Sequence, residues 1–499
     1  MTTFTHEFNT PLFKKKVSFP TGVFINNEFS PGADNTTIDL VNPSTGRVVA
    51  QVSEAVAADV DRAVTAARHA FETAWGLKVP GFERARLLTK LADLMEENID
   101  ELAALEAFDS GKVFLMARYG DLVGAIRLIR YYAGWADKNH GQTIETTEMK
   151  FAYTRHEPVG VCGSIIPWNF PLGAVALKIG PALATGCTVV LKPSEFTPLS
   201  ALRMGQLIAA AGFPPGVVNI IVGYGHIAGQ EIAAHPDVDK VSFTGSAVVG
   251  RKILETSAKT NLKKVTLELG GKSPCIVYDD ADLEQAVKWA ALGIFGNAGQ
   301  MCTAGSRIFV QEGIYDKFLE AFTKHATAIK LGDPFLPDSQ QGPQISQVQY
   351  DRIMAYINSG KEQGAKVHIG GGRHGDAGYW IQPTIFTDVR PDMKIVREEI
   401  FGPVGVVIKF KDEDDVVQQA NDTLYGLAAS IFTKDIKRAV ETANRVQAGT
   451  VWVNSSQNGE VQTPFGGYKQ SGIGRECGED ALAEYTNVKA VHVNLGFSL

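Results

Sequence analysis

No run of ~18 apolar residues escapes interruption by a proline or a polar side chain, so nothing in this sequence is built to span a bilayer as a helix. Basic runs are equally scarce. Lys14-Lys15-Lys16 is the only lysine triplet and the net charge is −7, which argues against nucleic acid as a partner. Cysteine is sparse too: Cys162, Cys187, Cys275, Cys302 and Cys477 are the only five among 499 residues. They are odd in number and widely spaced, fitting neither a Cys-x-x-Cys metal site nor a disulfide framework, so no metal and a reducing compartment are expected. The opening Met1-Thr-Thr-Phe-Thr-His-Glu-Phe carries a glutamate and no apolar core, unlike a secretory signal or a basic transit peptide. The cytosol is therefore the expected location, with the lysine triplet in a mobile N-terminal arm. Low-complexity linkers and internal repeats are missing as well. What remains is an ordinary globular composition, 44% hydrophobic and 21% charged, with a length that suggests about three domains at ~150 residues each.

One cysteine stands in unusual company. A helical run from Asp282 to Ile294 feeds the small-residue loop Phe295-Gly-Asn-Ala-Gly-Gln-Met-Cys302-Thr-Ala-Gly-Ser306, and Arg307–Gln311 then reads as a strand. Small neighbours let backbone N–H groups and a substrate come close to the sulfur. A free thiol with a pKa of about 8.5 needs help from its surroundings to react, and most unpaired cysteines are merely small buried hydrophobes.

Upstream, the periodicity alternates between strand and helix. Gly22–Phe29 and Thr37–Val41 read as short strands; Val60, Val64, Ala67 and Phe71, then Leu87, Leu88, Leu91 and Leu94, fall at helical spacing, and Arg118–Asp137 is a further helix. From Val159 onward, Val159–Ile166, Thr188–Leu191, Val217–Val222, Lys240–Thr244 and Lys264–Leu269 are β-rich runs separated by helices. Parallel strands need such crossovers, so an α/β fold with a doubly wound parallel sheet is predicted, with ligands at the carboxyl ends of its strands. Those ends carry Pro167-Trp-Asn-Phe-Pro171, Lys192-Pro-Ser-Glu195, Thr244-Gly-Ser246 and Glu268-Leu-Gly-Gly-Lys272. Gly245 and Gly250 could admit a pyrophosphate to a helix N-terminus, although a plain helix-start turn explains them equally well. Lys192 and Glu195 suit ribose hydroxyls or a solvated loop. Glu268 could share a polar strand face with Thr266, but the Gly-Gly after it marks a close approach to the backbone.

Past Ser273 a second α/β unit is expected, with strands at Ile276–Tyr278, Arg307–Gln311, Lys366–Ile369, Val404–Phe410 and Thr450–Asn454. Glu399-Ile-Phe-Gly-Pro403 and the glycine-rich Pro464–Gly472 interrupt it. Lys150–Arg155 and Val488–Leu495 alternate as half-buried strands suited to a flap that joins subunits.

Taken together, Pro167–Pro171, Lys192–Glu195, Phe243–Ser246, Leu267–Lys272, Gly299–Cys302, Glu399–Pro403 and Pro464–Gly467 resemble the signature blocks of the NAD(P)-dependent aldehyde dehydrogenases of the cytosolic, broad-specificity type. The resemblance spans most of the chain, in order and at family spacing. It implies a dinucleotide-binding domain (1–139 and 159–270), a catalytic α/β domain (271–470) and a small oligomerisation unit (140–158 and 471–499), assembled as a homotetramer. By the same resemblance Cys302 is the nucleophile, Asn169 with the Cys302 backbone N–H holds the oxyanion, and Glu268 is the general base. NAD, in preference to NADP, would be bound by Ile165, Ile166, Pro167, Trp168, Lys192, Glu195, Gly225, Phe243, Gly245, Ser246, Leu269, Glu399 and Phe401. Glu195 carries that preference, since a carboxylate on the ribose 2′-hydroxyl repels a 2′-phosphate.

The aldehyde tunnel is expected from Gly124, Phe170, Leu177, Gly296, Met301, Thr303, Gln457, Gly459 and Phe465. Several sites where small-aldehyde members carry aromatics are Gly, Leu or Gln here, which implies a wide mouth and long or aromatic substrates. Three other readings compete. Acyl transfer to coenzyme A or phosphate is disfavoured because members doing so lack the residue matching Glu268. A non-catalytic scaffold has no use for Cys302, Glu268 and Asn169 together. A plain cysteine hydrolase has none for Glu195, Ser246 and Glu399.

Overall fold

A computed structural model describes all 499 residues and is built on three main sheets. The first has eight strands in the order Gly472–Ile473, Lys264–Glu268, Lys240–Thr244, Val161–Ile165, Thr188–Lys192, Val218–Ile220, Val23–Ile25 and Glu28–Ser30. Its central five are parallel and nearly wholly buried, which explains their continuous Val/Ile/Leu character. From Val161–Ile165 the chain first winds outward to Thr188–Lys192 and Val218–Ile220. It then returns to the other side for Lys240–Thr244 and Lys264–Glu268. The order reverses between Val161–Ile165 and Lys240–Thr244, so a crevice opens beyond Ile165 and Thr244, where such sheets take ligands.

The second sheet runs Lys366–Ile369, Thr384–Thr387, Val404–Phe410, Arg307–Gln311, Pro274–Val277, Ala428–Phe432 and Thr450–Val453, parallel except at its first pair. In the third, Lys150–Pro158 pairs antiparallel with Thr486–Asn494, and Thr143–Ile144 lies outside them. Gly472–Ile473 belongs to the first sheet, paired with Leu267 and Glu268, so the segment after 470 reaches the flap only after bracing the strand that carries Glu268.

The N-terminal arm packs into the fold. Thr3–Asn9 and Lys14–Pro20 form an antiparallel hairpin that buries Phe4, Phe8, Val17 and Phe19 against Phe108 and Phe335. The reason lies in the alternation of Phe4, His6 and Phe8, a period of two that anchors the hairpin and leaves the lysines outside. The helix expected from Arg118 also begins differently, with a π-helical turn at Ala117–Asp121 before Leu122–Trp135.

One helix forms part of the crevice wall. Pro171 starts helix Pro171–Thr185 at its first turn, and Gly186 ends it in the left-handed region. The orphan N–H of Leu172 donates to buried Glu106 Oε1 at 2.6 Å, and Asp109, one turn further along helix Ile99–Ser110, accepts from Leu199 N–H at 3.0 Å. Two carboxylates on one buried helix thus hold two other helices by their N-termini.

Candidate active site

The loop before Cys302 is over-determined. Asn297 and Ala298 sit at φ 48° and 54°, where non-glycine residues are strained, and Gly299 follows at 74°. Asn297 Nδ2 donates to the carbonyls of Asn169 (3.1 Å) and Gln300 (3.3 Å), and Gln300 Nε2 returns a bond to the Asn297 carbonyl at 3.1 Å. Ile345 N–H donates to Gln300 Oε1 at 3.0 Å, while Gln344 Nε2 reaches the Ala298 carbonyl at 3.2 Å. A Cβ at Gly299 would collide with the Gly402 carbonyl, and one at Gly271 with that of Cys302. Sequence reasoning named none of Asn297, Gln300 and Gln344; the amide-rich spacing inside a small-residue loop was the available signal.

Cys302 opens into a cavity of about 1090 Å³ that Glu268 and Asn169 also line. Burial, then the carboxylates of Glu399 and Glu268, push its thiol up to about 12, while the backbone N–H groups of Cys302 and Thr303 pull the other way. Glu268 stands at the end of its strand, buried, with Oε2 unpartnered. Burial and the neighbouring Glu476 raise its carboxyl well above the usual range, and Lys178 and Arg475 oppose that. Asn169 Nδ2 gives one hydrogen to the Gln300 carbonyl at 3.0 Å; its second N–H is left to donate elsewhere.

Lys178 and Glu476 were missed in the sequence. They form a buried ion pair beside Glu268, Lys178 also donating to Thr244 Oγ1 at 2.8 Å, and Glu476 faces the cavity. A lone lysine in the apolar run Ala174–Ile179 was the legible hint, because such a charge is rarely buried unpaired.

Of the expected dinucleotide contacts, Pro167, Trp168, Gly245, Ser246, Leu269, Glu399 and Phe401 line this same cavity. Ser246 caps helix Ala247–Lys259, accepting Val249 N–H at 3.4 Å. Glu399 accepts from Gly271 N–H at 3.0 Å, and burial raises its carboxyl to about 7. Phe401 takes φ 61° and meets Trp168 edge-on at 5.3 Å. Ile165, Ile166, Lys192, Glu195, Gly225 and Phe243 lie outside the cavity. Lys192 forms a separate corner: its Nζ lies 3.5 Å from Glu195 and 3.1 Å from the Pro193 carbonyl. A Cβ at Gly229 would touch its stem and Ile165, so the turn after Gly225 packs on both.

Gly124, Phe170, Leu177, Thr303, Gln457, Gly459 and Phe465 line the cavity further out, joined by Leu128, Trp452 and Cys477. Met301 does not. It is buried, its methyl 3.3 Å from where a Cβ would stand on Gly296. Lys112 sits 3.8 Å above the Phe170 ring and pairs with Asp121.

A family model described as the aldehyde dehydrogenase family matches residues 29–491. The chain belongs to the aldehyde dehydrogenase family. It is 63% identical over 496 residues to an aldehyde dehydrogenase of Agaricus bisporus, covering 99% of each chain. Against aldehyde dehydrogenase 1A1 of Gallus gallus it is 54% identical over 97% of this chain and 95% of the other. Among solved structures, an NAD+ complex of an aldehyde dehydrogenase from Bacillus cereus superposes with a TM-score of 0.95 at 50% identity, covering 96% of this chain and 97% of that one. A betaine aldehyde dehydrogenase of Staphylococcus aureus, also with NAD+, gives 0.94 at 41% identity, over 96% and 95%. Both likenesses extend over nearly the whole aldehyde dehydrogenase chain, sheets and cavity together.

Proposed function

We propose that this enzyme oxidises aldehydes to carboxylic acids with NAD through covalent capture on Cys302. The observation that carries the reading is the single cavity in which a half-buried thiol, a buried carboxylate with a free oxygen and a side-chain amide meet the carboxyl end of a doubly wound sheet. A thiol held near 12 is inert until a base accepts its proton, and Glu268, itself held well above an ordinary carboxyl, is matched to that task. Cys302 Sγ then adds to the aldehyde carbon. The free N–H of Asn169 and the Cys302 backbone N–H would hold the oxyanion, each such donor being worth about 3–4 kcal/mol.

The crevice fits a dinucleotide. Lys192 and Glu195 offer a cation and a carboxylate for the adenosine ribose, Ser246 sits at a helix N-terminus suited to pyrophosphate, and Glu399 is poised for the second ribose. Bound NAD would accept the hydride released from the tetrahedral adduct on sulfur. What is left on Cys302 is a thioester, and dividing the oxidation from its hydrolysis makes two easier steps. Glu268 activates the hydrolytic water, and the Lys178–Glu476 pair beside it offers a route for the proton out of the cavity. The presence of Glu268 favours hydrolysis over transfer to coenzyme A.

Glu195 favours NAD over NADP, and the open wall at Gly124, where an added Cβ would touch nothing, favours long aliphatic or aromatic aldehydes. The flap formed by Lys150–Pro158 and Thr486–Asn494 is the element we assign to a homotetramer. Five unpaired cysteines suit a reducing compartment such as the cytosol. Measuring NADH at 340 nm with acetaldehyde, hexanal and benzaldehyde tests the whole scheme. Hexanal and benzaldehyde should exceed acetaldehyde in kcat/KM, NAD should exceed NADP, and Cys302→Ser should abolish turnover. Undiminished NADH formation by Cys302→Ser would overturn the mechanism.

A further inference from the structure

We propose that Gln457 is a positioning residue for the catalytic cysteine: its amide clamps Thr303, the next residue along the chain, and thereby fixes where the thiol stands. The proposal rests on Cys302 being the nucleophile. Thr303 Oγ1 donates to Gln457 Oε1 at 2.6 Å, and Gln457 Nε2 donates back to the Thr303 carbonyl at 3.0 Å. One bond alone would let Thr303 turn about it. Two bonds of opposite sense, one to the side chain and one to the main chain, fix both.

The clamp complements the other anchors of the loop. Before Cys302, Asn297, Gln300 and Gln344 hold the backbone. After it, the segment is tied by main-chain bonds, among them Ala304 N–H to the Met301 carbonyl and Gly305 N–H to the Gly293 carbonyl. Gln457 supplies the side-chain bonds that reach this segment from another part of the chain, about 150 residues further on (154 apart). Its amide is engaged with Thr303, although its place on the cavity wall would otherwise give it to substrate.

Gln457 is itself held. It takes φ 59°, and Asn454 just before it takes φ 53°. Asn454 Oδ1 accepts Thr433 N–H at 3.0 Å, and Trp452 Nε1 donates to the Asn458 carbonyl at 3.0 Å. At the far end Glu460 pairs with Arg127 of helix Leu122–Trp135 at 2.9 Å. Segment 454–460 therefore runs from that exposed ion pair to the residue beside the nucleophile.

The test is Gln457→Met, which keeps the length of the side chain and removes both bonds. The readouts compared with the wild type are kcat and KM for propanal, KM for decanal, KM for NAD, the melting temperature, and the rate at which iodoacetamide alkylates Cys302, followed by the mass of its peptide. The expected result is a fall in kcat for propanal of roughly tenfold or more, since displacing a reacting group by about 1 Å can cost 10²-fold. The alkylation rate should change with it, and KM for NAD should not. Thr303→Val should reproduce the change, and the double variant should be far less than additive. Wild-type kcat and alkylation with only the decanal KM altered would make Gln457 a tunnel wall and overturn the proposal. A lowered melting temperature at an unchanged alkylation rate would overturn it too, as a purely structural role. An active Cys302→Ser would instead strike the underlying reading, independently of the clamp.

Discussion

Glu268 shows how much a single carboxylate can be asked to do. Its Oε2 is buried without a partner, a costly state unless the group is needed for proton traffic. Replacing it by glutamine keeps the shape and removes the base for both the thiol and the water, so Glu268→Gln should lower NADH formation by roughly 10²–10⁴-fold from the first turnover, with no fast burst. Because burial and Glu476 raise the carboxyl, it sheds its proton only as pH rises, and kcat/KM should climb with pH in the wild type. Lys178 opposes that shift, so Lys178→Met should move the rising limb to higher pH. It should also destabilise the fold by about 3–5 kcal/mol by leaving Glu476 buried and unpaired. A pH–rate profile and thermal melts check both. Cys302, Glu268 and Asn169 could be picked out in the sequence because each sits in a short block of distinctive neighbours. Lys178, Glu476 and Asn297 could not, since their roles come from contacts across 298 residues for the ion pair and 128 for Asn297 with Asn169.

At the scale of elements, helix Ile99–Ser110 does the least conspicuous and most consequential work. Its Glu106 holds the first turn of the helix just after Asn169. Burial raises Glu106 from an ordinary 4.5 to about 7, with Lys112 pulling it down and Asp121 pushing it up. Between those values the folded chain keeps a proton that the unfolded chain has lost. The group's stabilisation is therefore whole below pH 4.5 and lost as pH rises through 7, up to ~3 kcal/mol at 1.36 kcal/mol per unit. Glu106→Gln still accepts from Leu172 N–H and does not titrate. Its melting temperature relative to the wild type should therefore rise from about pH 5 to pH 8; a constant difference would show that Glu106 is not the titrating group. The parallel strands of the first sheet were readable because continuous apolar runs between helices admit few other folds. Thr384–Thr387 and Ala428–Phe432 were not, one being four residues long after a proline and the other rich in alanine and serine. The N-terminal hairpin was hidden behind its lysines, although Phe4, His6 and Phe8 already alternated.

For the whole molecule, the open question is what covers the flap. In the single chain, Phe151 is 40% exposed and stands directly opposite Val493, 37% exposed. Tyr153 and Val491 continue the same face, with the Phe151 and Tyr153 rings 5.7 Å apart. Alternation places these side chains together and leaves Thr154 and Ala490 on the other side. The sequence showed that alternation, which is why a subunit-joining role could be expected; what seats on the face depends on other copies and is not encoded locally. Since an aspartate buried in such a contact is unpaired and costly, Val493→Asp should break the proposed homotetramer into smaller species. Light scattering should then report less than four times the 53.9 kDa chain mass. No residue of the flap lines the Cys302 cavity, so the dissociated variant should still be alkylated at Cys302 at the wild-type rate. Retention of the tetramer by Val493→Asp would move the subunit contact to another face of the molecule.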